Sequence, residues 1–214
     1  MNCVFLQENT ITFTVSEYSY KTISSSSEGI YKEKGSKFLS FAIPVNSADE
    51  VKDILKNFRN KYYDARHICY AFMLGNEQAE FRTSDDGEPS GTAGKPILGQ
   101  INSRELTNVL VIVVRYFGGI LLGTGGLVVA YKAAAADALK QAEIIEKSIE
   151  EIIHIRFDYL QMNGIMKIIK DSEAQINSQK FDNECFISIS LNKLNKESAL
   201  EKLKKMNCEI IPDN

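Results

Sequence analysis

The hydrophobic pattern of the chain is organised around residues 109–114, V-L-V-I-V-V, an unbroken apolar and mostly β-branched run. Such a run predicts a strand buried on both faces. Beyond a glycine-rich connection, Leu127, Val128, Tyr131, Ala135, Ala138 and Ala142 recur at helical spacing, predicting an alanine-rich helix to about residue 147. Upstream, Val51, Ile54, Leu55 and Phe58 share one face of a helix over 47–61, with Ser47 and Glu50 as a capping box. Strands are predicted over 38–45 and 65–74; in the second, period two puts His67 with Ala65, Cys69, Ala71 and Met73 on one face. Residues 1–21 alternate loosely, as an edge strand or an extension, while the four serines in 22–29 and the glycines and prolines in 81–98 predict loops. From residue 148 a second pattern begins: strand 149–159, helix 164–172, strands 174–181 and 185–191 about a turn at Asp182-Asn183, helix 196–206, and strand 208–211. That order, βαββαβ, is the ferredoxin-like plan.

Composition narrows the function classes. A length of 214 residues suits one large or two small domains, and the net charge of −3 is unlike that of a strongly basic nucleic-acid binder, so any such binding would use a local patch. Cys3, Cys69, Cys185 and Cys208 are far apart with no C-x-x-C pair, and His67 and His154 are the only histidines, so neither a disulfide framework nor a histidine-rich metal site is expected. No apolar run is long enough to span a bilayer and residues 1–10 show no secretory leader pattern; the cysteine usage fits a reducing compartment, so a cytoplasmic location is expected.

The chemistry-bearing residues fall in three places. Gly118, Gly119, Gly123, Gly125 and Gly126 lie between the buried strand and its helix, where bare N–H groups and the helix dipole make an anion site; equally, small residues there let the helix pack closely on the sheet. Gly123, Gly125 and Val128 break G-x-G-x-x-G at its third glycine, and Thr124 and Gly125 stand where a P-loop needs Lys and Ser/Thr. The acidic loop carries Asp85, Asp86 and Glu88, which could hold Mg²⁺, serve as an acid–base pair, or be solvated about an Asp86-Gly87 turn. Lys34, Lys37, Arg66, Lys95 and Arg115 are the candidate phosphate-binding cations, with Lys32, Lys34 and Lys37 equally suiting a lysine-blunted sheet edge. His67 reads as a core histidine or as part of the same site.

Lys34-G-S-K-F38, Ala65-R-H67, Asp85-D-G-E-P-S-G-T-A-G-K-P-I-L98 and Arg115-Y-F-G-G-I-L-L-G-T-G-G-L127 together resemble the IMPACT family, in its bacterial YigZ-like two-domain branch. The resemblance implies an α+β protein: an N-terminal extension (1–17), an N-terminal domain (18–147) similar to domain 2 of ribosomal protein S5, and a ferredoxin-like C-terminal domain (148–214). It also implies a translation-associated role, because eukaryotic relatives regulate translation. The expectation is therefore a regulator that binds structured RNA or the ribosome at Lys34, Lys37, Arg66, His67, Lys95, Arg115, Gly118, Gly119, Gly123, Thr124, Gly125 and Gly126. No catalytic residue, cofactor or metal is expected. Two alternatives stay open: a phosphate-handling enzyme using Asp85, Asp86 and Glu88, and a protein–protein adaptor presenting the acidic loop.

Overall fold

The computed structural model describes residues 18–211 other than 77 and 183. The expected extension over 1–17 lies outside the described residues, as does Asn183 of the expected turn. The described chain is mixed α+β and divides into two compact units, Tyr20–Lys147 and a second that joins residues 18–19 to the chain from Ser148 onward.

In the N-terminal unit the chain runs β1 (Ser19–Ile23), β2 (Ser27–Glu33), β3 (Ser36–Pro44), α1 (Ala48–Lys61), β4 (His67–Leu74), β5 (Glu80–Ser84), α2 (Gly94–Asn102), β6 (Val109–Tyr116), α3 (Gly123–Gln141) and β7 (Ile144–Ser148). Five strands form an antiparallel sheet in the order β2-β3-β6-β4-β5. The run at 109–114 occupies its centre, and its alternation divides it between two cores. Val109, Val111 and Val113 pack with Ile97, Ile101, Ala130, Tyr131 and Ala134 of α2 and α3. Leu110, Ile112 and Val114 pack with Phe41, Phe72 and the apolar face of α1. Both faces are thus covered, which is why β6 carries no polar residue before Arg115. Helix α1 starts as its sequence predicts, with Ser47 Oγ accepting from the Glu50 N–H and the Glu50 carboxylate accepting from Asn46 N.

The structure corrects four local expectations. Residues 22–29 are not a loop: most belong to β1 and β2, and the small side chains let α3 approach, with Ser27 Oγ donating to Ala138 O and the Asp137 carboxylate accepting from Ile30 N. A Cβ at Gly29 would stand 2.5 Å from Ala138 N. Residues 81–98 are not one long loop either, since they supply β5 and the start of α2. Helix α3 ends at Gln141 rather than near 147, because Ala142 turns extended and the following residues pair as β7 with β1. Val128 is exposed rather than on the buried stripe, which is Leu127, Ala130, Tyr131, Ala134, Ala135, Ala138 and Leu139.

The C-terminal unit runs β8 (Glu150–Phe157), a short 3-10 turn (Tyr159–Gln161), α4 (Met162–Asp171), β9 (Gln175–Phe181), β10 (Cys185–Asn192), α5 (Lys193–Lys205) and β11 (Glu209–Ile211). Its antiparallel sheet has the order β11-β8-β10-β9. Ile153, Ile155 and Phe157 of β8, with Cys185, Ile187, Ile189 and Leu191 of β10, face Ile165, Ile169, Ala199 and Leu203 of the two helices.

Candidate functional site

The site grows from two ends of strands in the N-terminal unit. Arg115 is the first polar side chain after the buried run of β6, and register places it opposite His67 at the start of β4 and Phe38 of β3. A guanidinium so placed is drawn under the sheet's end. Arg115 is only 6 % exposed, and its Nη1 donates to Oε1 of Glu88, itself 8 % exposed, at 2.6 Å. The guanidinium also lies over the Phe38 ring, 5.5 Å from its centroid. The same Glu88 oxygen accepts from the Tyr131 hydroxyl at 2.8 Å. Behind Tyr131, the Cys69 thiol has one proton to place, towards Asp85 O at 3.0 Å or the Tyr131 oxygen at 3.3 Å. Burial pushes both the Cys69 thiol and the Tyr131 phenol well above their ordinary values, so both stay protonated and act as donors.

The acidic loop is divided by its hydrogen bonds. Asp85 turns inward and accepts from the backbone N–H groups of Gly91, Ala93 and Gly94, at 2.8, 3.0 and 2.8 Å, which fills the start of α2 with an intrinsic anion. Partial burial by itself raises the Asp85 pKa, but the donors from Gly91, Gly94 and Ala93, with Lys95 nearby, outweigh it and hold the carboxyl below its usual range. Asp86 accepts from Ile68 N at 2.7 Å and from Arg59 Nη2 at 2.9 Å. Only Glu88 of the three lines the adjacent cavity. Among the described residues no group of three His, Cys, Asp or Glu side chains is placed to share a metal ion.

His67 joins this network with a defined tautomer. Its Nδ1 lies 2.8 Å from the carbonyl oxygen of Asp86. A carbonyl can only accept, so Nδ1 carries the hydrogen and a neutral ring keeps its lone pair on Nε2. That nitrogen lies 4.0 Å from Glu88 Oε1.

A cavity of about 390 Å³ opens beside these groups, and its lining combines the polar side chains of Arg66, His67, Glu88, Arg115 and Thr124 with apolar ones including Phe117, Leu121 and Leu122. Gly123 and Thr124 bring the start of α3 to it. Leu122 in the N-cap position makes no side-chain cap, so the first N–H groups of a 19-residue helix keep their donor capacity. Arg66 is exposed and makes no ion pair with any of the described residues.

The structure therefore brings Arg66, His67, Arg115, Gly123 and Thr124 together with Glu88, and leaves the other expected residues outside the cavity lining. Lys34 and Gly35, with φ of 46° and 79°, are the two-residue turn between β2 and β3, and Lys37 is on β3. Gly118 lies against that turn: a Cβ there would meet Gly35 C at 1.9 Å, so packing alone requires its glycine. Lys95 sits in the first turn of α2, beside Asp85. Tyr131 and Cys69 were read as helix and strand core, and the single hydroxyl in an alanine stripe was the available sign that a buried partner existed.

The Impact N-terminal domain family matches residues 34–139. The IMPACT family member YigZ of Escherichia coli is 33% identical over 160 residues, covering 74% of this chain and 78% of the relative. The chain belongs to the IMPACT family. IMPACT family member YvyE of Bacillus subtilis is 31% identical over 156 residues, covering 73% of this chain and 72% of YvyE. Protein IMPACT of Rattus norvegicus is 35% identical over 96 residues, 42% of this chain and 30% of the relative. The crystal structure of a hypothetical protein superposes with a TM-score of 0.73 at 27% identity, covering 92% of this chain and 98% of the other. No helix among the described residues of this IMPACT family member is long and apolar enough to cross a membrane.

Proposed function

We propose that this IMPACT family protein is a cytoplasmic, translation-associated regulator that binds structured RNA or the ribosome through the cavity at the start of α3. The observation that carries the reading is the convergence on one cavity of Arg66, Arg115 and the uncapped helix start. Guanidinium groups and helix N-termini are what phosphate oxygens bind, and they position nucleic acid without reading its bases. On this reading the domains are 1–17, 18–147 and 148–214. The N-terminal domain has the fold of ribosomal protein S5 domain 2, and the C-terminal domain is ferredoxin-like, which its βαββαβ order and antiparallel sheet support. The test is co-sedimentation with ribosomes and structured RNA at low and moderate salt. Arg66→Ala should weaken binding and reduce the log–log salt slope by about one. An unchanged slope would remove the cavity from the RNA site.

One observation favours an enzyme of phosphate chemistry instead: with Nδ1 turned to the Asp86 carbonyl, Nε2 is the acceptor of a neutral His67 ring, and it stands near Glu88 at the same cavity, where a general base for an attacking water would. Hydrolysis of a phosphoester by the wild type that disappears in His67→Gln would establish it. Turnover of none across a broad panel would remove it. An adaptor role would show instead as nuclease-insensitive co-purification with a single protein.

A further inference from the structure

The cavity's details point to a more specific ligand within the reading that it binds phosphate. We infer that it takes a phosphomonoester carried on a nucleoside: a phosphate with one substituent, either a free nucleoside monophosphate or the 5′-phosphorylated end of an RNA. The inference rests on the anion-site reading and is separable from RNA docking.

The polar lining is built to receive more negative charge than it contains. Arg66 and Arg115 set two cations against the one carboxylate of Glu88, and the start of α3 adds roughly half a positive charge. Arg115 spends Nη1 on Glu88, yet its Nε has no hydrogen-bond partner among the described residues although the side chain is buried. That nitrogen is itself closed to solvent, so a ligand in the cavity meets Arg115 through its charge rather than through this donor. Thr124 adds a hydroxyl beside the helix N–H groups. A phosphomonoester, near two negative charges at neutral pH, answers this set better than the single charge of an internal diester.

The apolar lining makes the second argument. Phe117 is half-exposed and Leu121 is 82 % exposed, both at the cavity. Solvated phosphate gains nothing from them, whereas a base has an aromatic ring to lie against, on the face of Phe117 away from the Arg115 guanidinium that lies 5.8 Å from its centroid. Size makes the third. About 390 Å³ is at the low end for small-molecule pockets and has room for one nucleotide-sized group. An internal diester would have to seat two sugar substituents in the same space.

The deciding experiment is calorimetric titration of the full chain with adenosine monophosphate, adenosine, inorganic phosphate, and one short RNA bearing either a 5′-phosphate or a 5′-hydroxyl. Each is repeated with Arg66→Ala and Phe117→Leu. Adenosine monophosphate and the 5′-phosphate RNA should bind, with the 5′-hydroxyl RNA and adenosine weaker by roughly tenfold or more. Arg66→Ala should weaken both phosphate-bearing ligands by a similar factor. Phe117→Leu should weaken adenosine monophosphate and spare inorganic phosphate. Equal affinity for the two RNAs, both lowered by Arg66→Ala, would overturn the inference while leaving RNA docking intact. Binding of adenosine monophosphate without either RNA would sustain the inference and remove RNA docking. Inorganic phosphate binding as tightly as adenosine monophosphate would overturn the nucleoside part, and no binding by any phosphate-bearing probe would overturn both readings.

Discussion

Arg115 and Glu88, 27 residues apart in sequence, form an ion pair of 2.6 Å that is buried at both ends. Removing one member leaves the other charge stranded, which typically costs about 3–5 kcal/mol. Arg115→Ala should therefore lower stability by that order in urea unfolding, and Glu88→Gln should cost less because the amide oxygen still accepts from Arg115 and Tyr131. If Arg115→Ala unfolds at the wild-type midpoint, the pair is not holding this end of the sheet together. The same reasoning explains why exposed Arg66, not Arg115, is the variant for binding studies.

Asp85 gives the fold a dependence on acid. Because the folded state holds its carboxyl below the ordinary range, its contribution is complete above the unfolded carboxylate pKa of about 4 and is lost as pH falls through the lower, folded value. Asp85→Asn should cost about 1–2 kcal/mol at neutral pH, as loss of a helix cap does, and should flatten the decline in stability between about pH 5 and pH 2. Thermal unfolding across that window decides it; a parallel decline in both proteins would mean other carboxylates dominate.

Gly118 and Gly125 should respond oppositely to the same change. Gly118→Ala drives a methyl into the backbone of Gly35 and should destabilise by about 1–3 kcal/mol. Gly125→Ala meets no atom and sits in a helix, where alanine is favoured by roughly 0.5–1 kcal/mol, so its melting temperature should stay level or rise.

Cys69 should be chemically silent in the native protein. Burial raises its thiol pKa, so almost no thiolate exists at neutral pH. Alkylation followed by peptide mass mapping should find Cys69 unmodified until denaturant is added. Rapid native labelling would show that the network around Tyr131 opens readily.

The elements that could be read directly from the sequence are those whose partners are local or whose pattern is long. Helix α1 carries its own cap at Ser47 and Glu50, β6 opens with an unbroken apolar run, and the C-terminal unit alternates cleanly through β8 and β10. Helix α2 was hidden because the carboxylate at its start comes from Asp85, eight and nine residues before the N–H groups it accepts from at Ala93 and Gly94. Strand β2 was hidden because its serines and Gly29 serve the close approach of α3, a demand made more than a hundred residues away. At the site, residue types were legible but not their division of labour. Nothing in D-D-G-E says that two carboxylates face the backbone and the third faces Arg115, because that depends on which strand end each one meets.

The ribbon of β1 and β7 has a topological consequence. Ser24 N donates to Glu143 O, so the polypeptide enters the N-terminal unit and leaves it on neighbouring strands. A segment with adjacent ends can be carried within a host loop or rejoined head to tail across a short linker without a gap to bridge. The unit from Tyr20 to Lys147 is in that sense a portable cassette, ready for transplantation or circular permutation.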